Sequence, residues 1–505
     1  MVAMSELDAP ASLREVELKL AIGSPEARAA ADREVGRAPV RSLETIYYDT
    51  PRRRLHGAGY SLRLRRDGED WSQSVKAEAG FSRYENDRTL RGGLPDFSLL
   101  EGTPIWPLLD GEGALAPVFV TRVRRQSRRR DRDGGRIEYS LDDGEVIAHD
   151  RVWPILELEL ELKAGAPEML FAEGRRLAAD EAFVPFFMSK AERGFALADG
   201  LLGEPVRFGS QALSPDVSAL AAFQTLARRC LRQLSLNAEL IAGGSARLEA
   251  VHQARTALRR LRVAMGVFAG LLDPARLESL GAELKWLSGE FGPARNLDVL
   301  LLEIFQPRAE EVADRDGAAA FGQLLLTEQG RARERARAAL ASPRFRLLLL
   351  ETARWIEAGP GLPGEADPPV GEFAAGALEQ RRHALARRLK SLDWSDAVAR
   401  HEARIAAKKM RYASEFFVGL GPKDRADRYR PFVKSLSELQ DRLGGLNDVA
   451  VAEQMAPETL VNAKDAARTA YAAGLIIGRD LAAAERLTKK ARRAGRTFLG
   501  APAWW

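Results

Sequence analysis

Apolar and polar residues alternate along a short stretch near the start of the chain, at residues 15–20. A β-strand sends successive side chains to opposite faces, so Glu15, Glu17 and Lys19 share one face and the apolar residues share the other. Residues 157–163 repeat this alternation with three glutamates and three leucines. Both stretches therefore predict strands with one charged face and one apolar face.

Further alternating stretches fill the first 200 residues or so. They lie at 43–49, 61–66, 71–76, 81–90, 119–130, 136–141 and 152–163, and a helix is predicted at 25–36. Clusters of Gly and Asp, among them Asp142-Asp143-Gly144, are typical of turns between antiparallel strands. About eight strands at this spacing predict an antiparallel barrel or sandwich.

Beyond about residue 215 the apolar residues recur with the period of a helix. Stretches rich in Gly and Pro at 203–215 and 359–364 interrupt the pattern. We therefore predict an α+β multidomain protein. It has a sheet domain at 10–202, a linker at 203–215 and an all-α domain at 216–500, divided into halves at 216–358 and 365–500.

The composition is that of a globular protein, with 46% hydrophobic and 29% charged residues among 505. The single cysteine, Cys230, excludes an internal disulfide framework and fits a reducing cytosol. No apolar run approaches the roughly 20 residues that span a bilayer, and residues 1–14 lack the pattern of a signal peptide. We therefore expect a cytoplasmic protein without a membrane partner. Its pI near 9.3 and its segregated charges suit an anionic partner.

The charged strand faces carry both signs. Basic side chains share the polar faces of three further strands, at Arg63 and Arg65, at Lys76, and at Arg122 and Arg124. These faces can point to solvent around an apolar interior, or inward with helices covering the leucines. Inward carboxylates suit Mg²⁺ or Mn²⁺, and inward Arg and Lys suit phosphates. The two together are what phosphoryl transfer usually requires.

The helical domain contains a repeated motif, H-x-A-R-x-A-x-[RK]-[RK]-x-R, at 252–262 and 401–411. At ~100° per residue, its basic side chains fall within roughly 80° of the helix circumference, opposite Ala, Leu and Met. These two basic stripes consist of His252, Arg255, Arg259, Arg262, His401, Arg404, Lys408 and Arg411. Like charges one turn apart repel each other. Two matched stripes therefore indicate a bound anion.

The strand motifs and their order resemble the CYTH superfamily, the triphosphate tunnel metalloenzymes. The resemblance extends over about 190 residues, from E-x-E-x-K at 15–19 to Ser189-Lys190-x-x-Arg193-Gly194, and includes Tyr47-Tyr48-Asp49-Thr50 and the charged strand faces above. It implies an eight-stranded antiparallel β tunnel with flanking helices. The charged faces would point inward and hold a triphosphate together with Mg²⁺ or Mn²⁺.

The same resemblance implies roles for individual residues. Metal would be held by Glu15, Glu17, Glu157, Glu159 and Glu161. Phosphate oxygens would be bound by Lys19, Arg63, Arg65, Lys76, Arg122, Arg124 and Lys190. Catalysis would depend on Glu157, Glu159 and Lys19, with one carboxylate of the last strand orienting the attacking water. Arg83, Glu85 and Asp142 are secondary candidates, because the sequence leaves their register open.

A second pair of related segments follows the basic stripes, at 287–298 and 439–448. Each predicts a helix end, a glycine turn and an Asn or Asp cap for the next helix. Together with the stripes, they resemble the CHAD domain over about 216–500. The resemblance implies two pseudo-repeated four-helix bundles around a basic groove that binds inorganic polyphosphate. The stripe residues would line that groove, with Arg260, Lys409 and Tyr412 as additions.

These resemblances imply a metal-dependent triphosphatase that hydrolyses inorganic tripolyphosphate or a related triphosphate, with a helical domain that binds long-chain polyphosphate. One alternative is a non-catalytic polyphosphate-binding or granule-associated protein. Another is a different activity of the tunnel fold, such as thiamine triphosphatase or adenylate cyclase. Nucleic-acid binding ranks below these, because the stripes lack the interleaved aromatic residues that stack bases. We expect a cytoplasmic enzyme, with polyphosphate granules as a further location.

Overall fold

The chain divides into two compact units. The computed structural model describes residues 14–77, 82–109, 115–132, 134–180, 183–209, 213–244, 247–362, 364–420, 423–461, 463 and 465–505. The sheet unit comprises the described residues up to Val206 together with Ser342–Gly359, and the helical unit comprises those in Arg207–Ala341 and Pro360–Trp505. Among all the residues that the structure describes, no helix is long and apolar enough to span a bilayer.

The sheet unit is built on one antiparallel sheet. Its strands are β1 (Arg14–Ile22), β2 (Val40–Asp49), β3 (Tyr60–Asp67), β4 (Asp70–Ala77), β5 (Ser82–Leu90), β6 (Ala116–Arg132), β7 (Gly135–Ala148), β8 (Arg151–Ala164) and β9 (Phe183–Phe186). Their order is β5-β4-β3-β2-β6-β7-β8-β1-β9, and β1 also pairs with β5. Eight of the nine strands are predicted from the alternation. The ninth, β9, has four residues, too few to show a pattern.

Helices cover the apolar face of this sheet. They are α1 (Pro25–Val35), α2 (Arg54–Gly57), α3 (Trp106–Leu109) and α4 (Pro167–Asp180). Helix α5 (Lys190–Ala198) lies on the other face, where Phe195 packs against the Phe119 ring. Leu18, Leu158 and Leu160 are fully buried. Helix α4 packs so closely on β1 that a Cβ on Gly174 would stand 2.4 Å from Leu18 Cδ2. The sequence left open whether the charged faces point to solvent or inward. Because helices cover the leucines, the structure has the second arrangement, in which the charged faces point toward a cavity.

The turn predicted at residues 142–144 is wrong. Asp142, Asp143 and Gly144 lie inside β7 and pair with Arg125, Arg124 and Val123 of β6. A Cβ on Gly144 would stand 2.0 Å from the Arg122 carbonyl oxygen. This glycine therefore marks a close approach of two strands rather than a chain reversal.

One helix from the predicted helical half belongs to the sheet unit. Helix α11 (Pro343–Glu357) begins at the N-cap Ser342, whose hydroxyl accepts a hydrogen bond from the Phe345 amide at 3.3 Å. The Arg346 guanidinium of α11 donates to the Ala178 carbonyl of α4 at 2.9 Å, and Leu350 is buried. The first half predicted at 216–358 therefore contributes its last helix to the other unit.

The remaining helices form the helical unit. They are α6 (Ala219–Ala242), α7 (Leu248–Val267), α8 (Pro274–Val299), α9 (Gln306–Ala309), α10 (Arg315–Ala341), α12 (Val370–Lys390), α13 (Ala397–Phe417), α14 (Lys423–Leu460) and α15 (Ala466–Gly500), with a π-helical segment at Leu300–Phe305. The apolar sides predicted for the two repeated motifs are in the core. Ala254, Leu258, Ala403 and Met410 are all buried.

The helix ends predicted at 287–298 and 439–448 are wrong, because both segments continue within α8 and α14. Their glycines make room for arginines instead of ending a helix. A Cβ on Gly292 would lie 3.3 Å from Arg255 Nη1, and one on Gly444 would lie 3.8 Å from Arg404 Nε. The two halves thus repeat the same contact between a basic stripe and the next long helix.

Candidate active site and a second basic pocket

A polar cavity of about 380 Å³ lies on the charged side of the sheet. Side chains of β1 to β8 and the start of α5 line it: Glu17, Lys19, Tyr47, Ser61, Arg63, Arg65, Lys76, Glu85, Asp87, Arg125, Glu138, Ser140, Glu159, Glu161, Lys163, Ser189, Lys190 and Ala191. Alternation in eight strands is what brings these residues together.

One wall of the cavity is basic. Arg63 and Lys76 both pair with Glu85, at 3.0 Å and 2.7 Å. Arg65 donates only to the Thr45 hydroxyl, at 3.3 Å, and has no carboxylate partner among the residues that the structure describes. Repulsion by Arg63, burial and the charge of Arg125 lower the pKa of Arg65 to about 10. This wall would therefore gain stability from a bound anion.

Another part of the lining, the acidic wall, consists of Glu159 backed by the buried Asp142 and Glu157. Asp142, Glu157 and Glu159 each offer a carboxylate oxygen, and these oxygens lie within 4.8 Å of one another. Hard oxygen donors of this kind fit Mg²⁺ or Mn²⁺. The Lys190 ammonium lies among them, 2.6 Å from Asp142 and 2.9 Å from Glu159, and also contacts Glu157. The three carboxylates thus surround a position that already holds a cation.

The charges of the acidic wall stabilise one another. Burial alone would raise the pKa of Glu159, but Lys190, Lys19 and Arg125 hold it well below its usual range. Burial alone would lower the pKa of Lys190, but Asp142, Glu157 and Glu159 raise it. Glu159 is therefore ionised at neutral pH and able to bind a cation.

The start of α5 explains the motif at 189–194. The Ser189 hydroxyl accepts from the Glu192 amide at 3.0 Å, and the Glu192 carboxylate accepts from the Ser189 amide at 2.8 Å, which forms a capping box. Arg193 pairs with Glu157 at 2.8 Å. A Cβ on Gly194 would stand 1.9 Å from the Phe119 ring. Cap, ion pair and close packing together hold Lys190 in the cavity.

The helical unit contains a second, smaller pocket of about 310 Å³. Basic side chains of α7 and α13 dominate its lining, which consists of Arg207, Phe208, Gly209, His252, Gln253, Thr256, Arg259, Arg260, Lys408, Arg411, Tyr412 and Gln440. Phe208 falls in the predicted linker, yet its ring lies 4.7 Å from the Arg260 guanidinium and 4.9 Å from that of Arg229. The segment at 203–215 is therefore partly a component of this pocket.

Arg260 and Arg411 of this pocket pair with Glu415, but other cations in and beside it repel one another. Burial, Arg259 and Arg404 lower the pKa of Lys408 to about 6. Burial and the neighbouring Arg259, Arg295 and Arg404 lower the pKa of Arg255 to about 10. Burial and Arg295 also lower the pKa of His252. Groups that share a positive field in this way favour an anionic ligand.

Known proteins match both units. Residues 13–195 match the CYTH domain, and residues 225–457 match the CHAD domain. The chain contains a CYTH domain followed by a CHAD domain. The resemblances stated from the strand motifs and the basic stripes are thereby confirmed, and the cavity and the basic pocket can be assigned to the CYTH and CHAD regions respectively.

Two relatives illustrate these matches. An inorganic triphosphatase from Haemophilus influenzae is 28% identical over 196 residues, which are 37% of this chain and 55% of that protein. The chain thus spans about half the length of that curated relative. The crystal structure of the CHAD domain from the plant Ricinus communis is similar at 28% identity and a TM-score of 0.51, covering 59% of this chain and 97% of that one.

Most residues predicted for the CYTH domain do meet in its cavity. Lys19, Arg63, Arg65, Lys76, Lys190, Glu17, Glu159 and Glu161 line it, as does the secondary candidate Glu85. Glu157 is buried behind them. Of the predicted metal set, Glu17 and Glu161 stand across from each other on β1 and β8, and Glu159 is clustered with Glu157. The side chains of Glu15 and Arg83 lie outside the described residues.

Strand β6 presents a different basic residue from those predicted. Arg122 is 60% exposed on the opposite face, where it pairs with Glu44, and Arg124 is exposed beside it. Arg125 faces the cavity and contacts Asp142 and Glu159. The predicted placement of Arg122 and Arg124 is therefore corrected. The consecutive arginines at 124 and 125 occupy both faces, so the sequence could not show which one points inward.

The CHAD domain brings most of the two basic stripes together. His252, Arg259, Lys408 and Arg411, with the added candidates Arg260 and Tyr412, line the pocket. Arg255 and Arg404 are close enough to influence each other. The structure leaves Arg262, His401 and Lys409 exposed, and the His401 ring hydrogen-bonds the Asn447 amide oxygen. Arg295, which the motif does not include, adds a further cation.

Proposed function

We propose that strands β1 to β8 enclose a tunnel in which inorganic tripolyphosphate, or a related triphosphate, is hydrolysed with the help of a divalent metal. One observation supports this most strongly: a single cavity contains a basic wall and Glu159, which is clustered with the buried carboxylates of Asp142 and Glu157. Phosphoryl transfer depends mainly on positioning and on neutralising charge. A cavity of this size with walls of opposite sign supplies both.

The basic wall would bind the phosphates. Arg65 provides forked donors and has no carboxylate partner among the described residues, and Arg63 and Lys76 both pair with Glu85. Asp142, Glu157 and Glu159 would hold the metal, with Lys190 moving aside or toward the substrate. A bound Mg²⁺ or Mn²⁺ would supply neutralisation of phosphate charge.

Glu159 is the best-placed residue to orient the attacking water. It lines the cavity, whereas Glu157 is buried and held by Arg193 and Lys190. Because neighbouring cations keep the pKa of Glu159 low, its carboxylate would accept a hydrogen bond from water rather than remove a proton completely. Its effect would be orientation of the nucleophile.

The CHAD domain would bind long-chain polyphosphate in its basic pocket. Lys408, Arg255 and His252 all carry pKa values lowered in part by neighbouring cations. A linear polyanion would relieve this repulsion along several residues at once. The pocket has no clustered carboxylates of the kind found in the tunnel, within the stretches of chain described, so we assign it binding and no hydrolysis.

A substrate panel tests the proposed activity. Purified protein is assayed for phosphate release from tripolyphosphate, ATP, thiamine triphosphate and long-chain polyphosphate, with Mg²⁺, with Mn²⁺ and with a chelator. We expect turnover of tripolyphosphate with metal and none with chelator. Preference for thiamine triphosphate would keep the mechanism and change the substrate. Pyrophosphate release from ATP would indicate a cyclase.

The same assay separates the enzyme from a non-catalytic binder. If no triphosphate is turned over with either metal while long-chain polyphosphate still binds, the chain is a polyphosphate-binding protein and the proposal of catalysis fails. Binding is measured on the same preparation by isothermal titration calorimetry, so that a misfolded sample is recognised.

A further inference from the structure

The last helix of the chain carries an exposed row of cations outside the CHAD pocket. Arg486, Lys489, Lys490, Arg493 and Arg496 of α15 are all exposed, and we call them the α15 row. At 3.6 residues per turn they lie within about 120° of the helix circumference and extend over about 15 Å. The row therefore forms one continuous basic strip.

Neighbours in the α15 row stand three or four residues apart, which brings like charges side by side on the helix surface. Each such pair destabilises the helix. Lys489 pairs with Glu485 at 2.7 Å. The other four have no carboxylate partner in the regions that the structure describes.

Helix α10, which ends the first half of the helical unit, provides a comparison within the same chain. Four arginines near its end alternate along the sequence and are each matched by a carboxylate: Arg331 with Glu328, Arg333 with Asp298, Arg335 with Glu290 and Arg337 with Glu334. A run of helical arginines in this protein can therefore be neutralised by its own acids. The α15 row is left largely uncompensated.

The helix dipole does not account for the row. Cations are favoured near a helix C-terminus, but the effect fades within the last turn. Arg486 and Lys490 precede Gly500 by ten residues or more, so they lie beyond its reach. Water and salt ions screen these exposed charges in part, and a bound polyanion would offset their repulsion more fully.

We propose that the α15 row is a second binding surface for long-chain polyphosphate, in addition to the CHAD pocket. This proposal rests on the proposed polyphosphate binding of that pocket, because one long polymer would contact both. No aromatic residue occurs between Glu485 and Thr497, so bases would find nothing to stack on. A linear phosphate polymer can bind to the row through charge alone. A polymer that contacts both the row and the pocket binds more strongly, because its first contact raises the effective concentration of phosphate at the second site.

Chain length provides the test. Arg486→Gln, Lys490→Gln and Arg493→Gln are combined in one variant, and Arg331→Gln, Arg335→Gln and Arg337→Gln in a control with the same change of charge. We expect the first to lower affinity for long-chain polyphosphate about tenfold and to flatten its salt dependence. The control should do neither. Neither variant should change the affinity for tripolyphosphate, and circular dichroism confirms that both fold.

Equal affinities of the two variants for long-chain polyphosphate would overturn the proposal. So would a loss of duplex DNA binding with polyphosphate binding retained, because the row would then be a nucleic-acid surface. An Arg255→Gln/Arg404→Gln variant keeps the two proposals distinguishable. If only the Arg255→Gln/Arg404→Gln variant loses polyphosphate binding, the pocket binds the polymer and the proposal for the α15 row is wrong. If only the variant of the α15 row loses polyphosphate binding, the row binds the polymer and the proposal for the pocket is wrong.

Discussion

The CYTH cavity and the CHAD pocket both collect cations, but they differ in how those cations are compensated. In the cavity, Lys190 is surrounded by three carboxylates, and its pKa is raised. In the pocket, Lys408 is surrounded mainly by arginines, and its pKa falls to about 6. The first arrangement can hold metal and phosphate together. The second can only attract an anion.

This contrast suggests that catalysis and polymer binding are properties of separate sites, each with its own charge balance. Substitutions in the cavity should then affect hydrolysis without affecting polyphosphate affinity, and substitutions in the pocket should do the reverse. The following predictions challenge that separation, beginning with the largest expected effect.

Glu159→Gln should have the largest effect on hydrolysis. In the proposed mechanism Glu159 both holds the metal and orients the attacking water, so we expect phosphate release from tripolyphosphate to fall by about 10²- to 10⁴-fold when its charge is removed. Affinity for long-chain polyphosphate should be unchanged. Steady-state phosphate release and calorimetry on the same preparation measure the two. A parallel loss in both would contradict separate sites.

Leu350→Ala should destabilise the sheet unit, although residue 350 lies between helices of the CHAD region in sequence. The side chain is buried on α11 near Gly174 of α4, and a buried Leu→Ala change costs about 2–5 kcal/mol. Thermal unfolding followed by phosphate-release activity should show earlier loss of the CYTH site. An exposed leucine in the same half, Leu326 (48% exposed), serves as the Leu326→Ala control and should change little.

An Arg255→Gln/Arg404→Gln variant should weaken long-chain polyphosphate binding by at least about tenfold, because each arginine would provide a charge-assisted hydrogen bond. Tripolyphosphate hydrolysis in the cavity should be unaffected. Calorimetry measures the first effect and phosphate release the second. Unchanged affinity would mean that the CHAD pocket has another ligand.

Lowering the pH from about 8 to 6 should strengthen polyphosphate binding to the pocket. Lys408 has a pKa of about 6 in the free protein, and a bound polyanion raises this pKa. At a pH between the pKa of the free protein and that of the complex, binding is therefore accompanied by the uptake of a proton. Affinity then rises as pH falls, by at most about tenfold per pH unit for one proton. Calorimetry in buffers of different ionisation enthalpy detects the proton.

Lys408→Gln is the matched variant. It should bind nearly as well as the unmodified chain at pH 8, where most Lys408 side chains are neutral, and less well at pH 6. His252, whose pKa is also lowered, should leave a smaller pH dependence in the variant. An unaltered pH profile would show that Lys408 is not the group that titrates.

Alternation predicts which charged side chains share a strand face, and the resemblance to the CYTH superfamily predicts that this face points inward. Glu17, Lys19, Arg63 and Arg65 do line the cavity, because alternation holds strictly along β1 and at Arg63 and Arg65 of β3. It fails at β6, where Arg124 and Arg125 are adjacent and only the pairing with Asp142 selects one. The local sequence pattern therefore cannot predict which of the two arginines faces the cavity, because strand pairing determines it.

The sequence also does not predict the role of several glycines or the packing partner of helix α11. Gly144, Gly292 and Gly444 resemble turn residues in sequence, yet they sit inside a strand and two helices, where a neighbouring strand or arginine comes close. The amphipathic pattern of α11 predicts a helix but does not identify α4 as its partner. Both outcomes depend on contacts between residues far apart in the chain.

The central claim is that charged strand faces converge on the cavity, and a matched pair of arginines tests it most directly. Arg65 of β3 and Arg122 of β6 lie on the two strands that flank β2, one facing the cavity and the other facing away. We predict that Arg65→Gln lowers kcat/KM for tripolyphosphate by about 100-fold or more, while Arg122→Gln leaves it unchanged. Equal losses in both variants, or a loss only in Arg122→Gln, would contradict the account.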